Sequence, residues 1–171
     1  MELEAVLRER FSVRKYQDIP VEEEKLNQIL EAGILAPTGK NNQPQRIYVL
    51  KSPEALKKIR SITSCAFDAP VVLLIACDET AQWNNPLEEG IVSGQQDVSI
   101  VATYMMLEAW NLGIGSCWVN YFPNTEVAKA FGLLEHEKRV LLLTLGYASD
   151  TAKPAPMHFE SKSREKLIRV L

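Results

Sequence analysis

DVSIVATYMMLEAWNL, residues Asp97–Leu112, reads as a helix that cannot stand in water. Val98, Val101, Ala102, Met105, Ala109 and Leu112 recur on one face at helical spacing. Ile100, Met106, Leu107 and Trp110 cover much of the opposite side. A helix that is apolar nearly all round is a buried one. Asp97 suits the first turn, where the helix dipole favours a carboxylate. Gly113 suits a left-handed cap beyond the last turn. The apolar run is too short, and too interrupted by Asp97 and Glu108, to span a membrane. Protein must therefore wrap it on all sides. One small chain can hardly do so alone, and a partner subunit is expected to supply the missing cover. GIGSCWVNYF follows at once, Gly113–Phe122, with two glycines that allow close backbone approach ahead of a strand-like run.

Composition bounds what surrounds this helix. The chain has 171 residues, a formal charge of -3 and 46% hydrophobic residues, which predicts one domain over residues 1–171 with a substantial core. The mild acidity gives no electrostatic reason to expect nucleic acid or an anionic membrane as a partner. Cys65, Cys77 and Cys117 are odd in number and form no CxxC pair. They are expected as buried free thiols in a reducing compartment, which implies a cytoplasmic protein. His136 and His158 have no companion ligands at metal spacing, so no metal site is expected. MELEAVLRERF at the N-terminus is charged and helical rather than a signal peptide.

Around the central helix, helices and strands mix without regular βαβ alternation. Glu2–Arg10 is a short helix with Leu3, Val6 and Leu7 on one face. Val21–Ala36 is a second, with the stripe Leu26, Ile29, Leu30, Gly33 and Ile34. It stops before Pro37, which biases its predecessor away from helical dihedrals. Ser52 is a candidate N-cap with Pro53 at the first helical position, opening a helix to about Ile62. Arg46–Leu50, Val71–Cys77, Ser116–Asn120 and Val140–Leu145 read as strands. The second is a continuous apolar run and therefore interior, and the fourth, VLLLTL, is expected to be interior too. Thr125 is a candidate cap for the helix Glu126–Phe131, closed by Gly132. Asp78–Gly90 is a polar excursion, and Ser161–Arg169 is a basic segment whose pattern fits either helix or extended chain. No GxGxxG follows a strand, which argues against a dinucleotide-binding Rossmann site.

Three polar segments stand out. In Arg10-Phe-Ser-Val-Arg14, an extended backbone puts Arg10, Ser12 and Arg14 on one side and Phe11 and Val13 on the other. Two guanidiniums beside a hydroxyl suit a bound phosphate or other planar anion. A solvated surface strand accounts for the same residues. Pro37-Thr-Gly-Lys-Asn-Asn-Gln-Pro44 gathers hydroxyl, amide and glycine backbone between two prolines. It can bond the polyol and heteroaromatic edges of a cofactor, or simply join helix to strand. Lys162-Ser-Arg164, with Lys166 nearby, reads alone as a solvated terminal patch.

Taken in order, these segments resemble the flavin-dependent nitroreductase family. Arg10, Ser12 and Arg14 match its R-x-S-x-R/K; Pro37, Thr38, Asn41, Gln43 and Pro44 match its P-S-x-x-N-x-Q-P. Leu112, Gly113, Gly115, Ser116, Cys117 and Trp118 match the L-G-x-G-S-C-W that ends its long buried helix. Lys162 and Arg164 match its terminal K-x-R. Thr38 replaces the usual Ser and keeps the hydroxyl, while Gly39 stands where a second Ser is common.

The resemblance implies an α+β fold with a central, mostly antiparallel sheet flanked by helices. It also implies an intertwined homodimer with two FMN molecules at its interface. Arg10, Lys162 and Arg164 would hold the FMN phosphate, with Ser12 beside them. Arg14 would reach the ribityl chain and the pyrimidine edge, where a cation stabilises negative charge on the reduced ring. Pro37, Thr38, Gly39 and Asn41 would come from the other subunit. Asn120 and Tyr121 fall where the family places backbone N–H groups near flavin N5. The implied activity is an FMN-dependent oxidoreductase: NADH or NADPH reduces the flavin, which reduces a nitroaromatic, quinone or similar small electron-poor acceptor. Dehalogenation, azo or enone reduction or flavin supply on the same scaffold, or non-catalytic flavin sensing, stay open at this point.

Overall fold

Four strands form a single sheet in the order β1–β2–β4–β3, with every neighbouring pair antiparallel. They are β1 (Gln45–Leu50), β2 (Val71–Asp78), β3 (Gly115–Val119) and β4 (Glu137–Gly146) in a computed structural model. The structure describes residues 1–171, apart from the side chains of residues 139 and 140. The helices are α1 (Leu3–Glu9), α2 (Glu23–Leu35), α3 (Pro53–Ile62), α4 (Gly94–Asn111), α5 (Asn124–Phe131) and α6 (Arg164–Leu167). Single 3-10 turns occupy Gly39–Asn41, Ser64–Ala66 and Pro156–Phe159. Among the described residues, no helix is long and apolar enough to cross a membrane.

The apolar stretches of β2 and β4 have a simple cause: the sheet is covered on both faces. Val71, Leu73, Ile75 and Cys77 join Leu141, Leu143 and Leu145 in a core with α2 and α4. Val72, Leu74 and Leu142 turn the other way, into a second core with Leu56, Ile59 and Val127 of α3 and α5. Burying each such aliphatic side chain contributes about 1.5–3 kcal/mol. Ser52 caps α3 as expected, accepting the Ala55 N–H at 3.1 Å, with Pro53 in the first turn.

Several boundaries differ from the sequence reading. Helix α4 begins at Gly94, three residues before Asp97. Strand β4 begins at Glu137, well before the apolar run, because Glu137 and Lys138 pair with Asp78 and Cys77 at the end of β2. Cross-strand pairing extends the strand through polar residues that hydropathy does not mark. Pro123, not Thr125, occupies the cap position of α5, and Thr125 lies in its first turn. Val21 lies outside α2 as a buried anchor. The terminal segment contains one short helix, α6. All three cysteines are free, but Cys65 is only half-buried.

Helix α4 is wrapped on one side only. Val98, Val101, Ala102, Met105 and Ala109 are fully buried, whereas Ile100 and Tyr104 remain 39% and 42% exposed. Leu107 joins Met1, Leu3, Leu7 and Ala32 along an open apolar groove between α1, α2 and α4. Of the expected inward face of α1, only Val6 is buried. Gly113 takes the left-handed conformation beyond the helix end, at φ 77°.

Candidate functional site

Residues 11–17 lie along the edge and lower end of the sheet. Ser12 bridges Ser116 of β3 in parallel, and the Val13 N–H donates to the Ser116 carbonyl at 2.9 Å. Further on, Tyr16 bridges Ala148, and the Gln17 N–H donates to the Tyr147 carbonyl at 2.8 Å. The apolar side of this strip is anchored twice. Phe11 meets Trp110 of α4 edge to face at 5.4 Å, and Val13 is completely buried. The expected two-sided alternation is only partly met: Val13 turns inward and Arg14 outward, but Phe11 lines the same cleft as Ser12 and Arg14.

Arg10 and Ser12 are half-buried and Arg14 is exposed. Ser12 and Arg14 line a cleft of about 130 Å³ together with Phe11, Ala155, Met157 and His158. The last three come from the chain beyond β4; no feature of the sequence marks them as neighbours of Arg14. Cys117 lies beneath the same segment. Burial pushes its thiol up, while the Arg14 charge and a hydrogen bond from Ser12 act in the opposite direction. Tyr16 braces the strip from below: its hydroxyl donates to the Val13 carbonyl at 2.8 Å and shares a 2.7 Å hydrogen bond with Thr144 Oγ1. Burial raises that phenol, so it stays protonated and keeps its donor.

The Pro37–Pro44 loop is held from within and from outside. The Gln43 N–H donates to Thr38 Oγ1 at 3.1 Å, and Gln43 Nε2 donates to Asn41 Oδ1 at 3.0 Å. Lys40, Asn41 and Gln43 all adopt left-handed dihedrals, with φ of 51°, 56° and 51°. Such conformations are uncommon for non-glycine residues and gather at binding loops. From outside, the Gly39 N–H donates to Asp97 Oδ1 at 3.0 Å, and Ser93 Oγ donates to Asp97 Oδ2 at 2.6 Å. In the sequence Asp97 suits the helix dipole alone; Gly39, 58 residues away, leaves no local signal of the bond between them.

Asn120 and Tyr121 sit just past β3, both exposed, with Trp118 Nε1 donating to Asn120 Oδ1 at 3.3 Å. They border an open groove of about 440 Å³ against Ile62, Thr63 and Ser64. Lys162 and Arg164 lie on a fully exposed terminal segment, Arg164 as the first residue of α6.

One chain does not bring these pieces together. The Thr38 loop is tied to the N-terminal end of α4 through Asp97, and the arginine strip to its C-terminal end through Trp110. Those anchors, Asp97 and Trp110, are thirteen steps apart along the helix, a rise of about 20 Å. The donor set as a whole nevertheless fits a phosphate-bearing planar cofactor. It offers guanidiniums for an anion, a hydroxyl and amides for polar edges, and a glycine at the point of closest loop contact.

The chain is similar to known proteins over most of its length. The nitroreductase family model matches residues 7–68 and 60–147. The crystal structure of a nitroreductase family protein from Clostridium difficile 630 is 32% identical, covers 99% of this chain and 98% of that one, and superposes with a TM-score of 0.91. An FMN-dependent nitroreductase from Clostridium difficile R20291 is 27% identical, with 97% of each chain covered and a TM-score of 0.77. A Methanothermobacter thermautotrophicus protein, provisionally named an NADH dehydrogenase/NAD(P)H nitroreductase, is 29% identical over 157 residues, 88% of this chain and 79% of its own. The matched residues carry all four strands, α4, the arginine strip and the Thr38 loop, and with sheet, central helix and both polar segments aligned, the chain belongs to the nitroreductase family.

Proposed function

We propose that the protein is an FMN-dependent NAD(P)H oxidoreductase whose acceptors are nitroaromatics, quinones or similar electron-poor rings. Residues 1–171 act as one flavin-binding unit within an intertwined homodimer of the cytoplasm. Similarity to an FMN-dependent nitroreductase and to a provisionally named NAD(P)H nitroreductase supports the cofactor and the electron donor. The observation that carries the shared site is the placement of the two polar half-sites at opposite ends of α4. A two-fold partner laying its own α4 antiparallel across the exposed Ile100 and Tyr104 would set one half-site of each chain beside the other half-site of its neighbour.

Bound FMN supplies the hydride chemistry, and the protein supplies position and electrostatics. In this reading Arg10, Lys162 and Arg164 hold the phosphate, with Ser12 beside them. Arg14 presents a fixed positive charge to the pyrimidine edge, and a guanidinium does not titrate near neutrality. Backbone N–H groups of Asn120 and Tyr121 face N5. Pro37, Thr38, Gly39 and Asn41 come from the partner. No side chain acts as a nucleophile.

The test is direct. The purified protein should be yellow, release FMN and not FAD on denaturation, and turn over a nitroaromatic with NADH or NADPH. Release of FAD, or no retained flavin after incubation with excess FMN, overturns the reading.

A further inference from the structure

Asp97 is only 4% exposed, and a carboxylate is a costly group to bury. Its two oxygens are divided between two tasks. Oδ2 accepts the Ser93 hydroxyl at 2.6 Å and Oδ1 accepts the Gly39 N–H at 3.0 Å. Ser93 occupies the N-cap position of α4, yet its side chain makes no capping bond there. Its hydroxyl is turned to Asp97 instead. The loop lies flush against this pair: a β-carbon at Gly39 would come within 2.9 Å of Ser93 Oγ and 3.0 Å of Trp83 Cβ. Directly after the pinned glycine come the left-handed Lys40 and Asn41. A strained loop keeps one conformation only when its surroundings over-determine it.

We propose that Asp97 is a positioning residue for flavin. Through Gly39 it fixes Thr38 and Asn41 in the one loop conformation that receives the flavin ring, with Ser93 aiming its carboxylate. The proposal rests on the assignment of Thr38 and Asn41 to the flavin site, and the experiment separates the two.

Dissociation constants for FMN and for riboflavin are measured by flavin fluorescence on the refolded apoprotein, with circular dichroism and apoprotein Tm recorded in parallel. Asp97→Ala should weaken both flavins by the same factor, about tenfold or more, because the loop is on the ring side and not at the phosphate. Asp97→Asn keeps an acceptor for Gly39 and a donor for Ser93, and should stay within about threefold of the parent. Gly39→Ala, which wedges the loop away from Ser93 and Trp83, should behave as Asp97→Ala does. Should Asp97→Ala fail to fold, Gly39→Ala decides the matter. Parental affinity in Asp97→Ala or Gly39→Ala overturns the proposal, as does an Asp97→Asn as weak as Asp97→Ala. A Thr38→Ala/Asn41→Ala variant that binds both flavins undiminished overturns the site assignment itself.

Discussion

Val13 is seated on Gly115 so closely that a β-carbon at position 115 would lie 2.7 Å from Val13 Cγ2. The contact sets how tightly the arginine strip lies against β3. Gly115 has no left-handed φ, so the cost of a side chain there is steric and not torsional. Gly115→Ala should destabilise the fold by about 1–3 kcal/mol, as overpacking does, and lower the melting temperature by several degrees. It should also weaken flavin, because Ser12 and Arg14 move with Val13. Calorimetry and flavin titration check both; an unchanged melting temperature would mean that the strip is loosely held.

Asp78 gives the protein an acid limb. Its carboxylate accepts the Thr80 hydroxyl and N–H, and Arg46 Nη2 approaches it at 2.6 Å. The Thr80 bonds above all, then Arg46 and His136, hold it below its ordinary range. A carboxyl lowered on folding stabilises fully above its unfolded value of about 3.9 and loses that contribution as pH falls through the folded value. Asp78→Asn should be less stable than the parent at pH 7, with the gap closing below about pH 4. Urea midpoints across pH test this, and a gap constant with pH would remove Asp78 from the acid limb.

Arg164→Ala should weaken FMN more than riboflavin. A charge-assisted contact to phosphate is worth about 1.5–3 kcal/mol, which is roughly ten- to hundredfold in affinity. Riboflavin has no phosphate to lose. Equal weakening of both flavins would place Arg164 away from the phosphate.

Arg14→Gln should make the flavin harder to reduce, because the fixed cation beside the reduced ring is gone while hydrogen-bonding capacity remains. The midpoint potential from a redox titration should fall. No change would take Arg14 off the pyrimidine edge.

The shared site predicts complementation. One variant carries changes at Arg10, Lys162 and Arg164, another at Thr38 and Asn41, and each homodimer should lose both flavins. Unfolded together, mixed and refolded with FMN, a mixed dimer collects both defects at one site and none at the other. Up to half of its sites should recover flavin. Mixed dimers confirmed by mass spectrometry but lacking any flavin would reject the exchange of half-sites between subunits.

Much of this was written in the sequence. The aliphatic stretches of β2 and β4, the buried face of α4, the Ser52–Pro53 start of α3 and the contrast of buried Val13 with exposed Arg14 are all legible along the chain, whereas the other face of α4, apolar in sequence, stays open in the single chain. Each side chain's polarity reports how many of its faces meet protein. The four polar and glycine-rich motifs, taken in order, carry the family resemblance in the chain itself. Tertiary structure alone decided the rest. The polar start of β4 at Glu137 exists because β2 lies beside it. Met157 and His158 line the Arg14 cleft because the chain turns back after β4. Asp97 became the anchor of Gly39 across 58 residues, and the Thr38 loop and the arginine strip came to lie at opposite ends of α4. Hydropathy patterns have a reach of a few residues, set by the periods of helix and strand. Hydrogen bonds between distant segments depend on how the elements stack, and that is fixed only when the whole core packs.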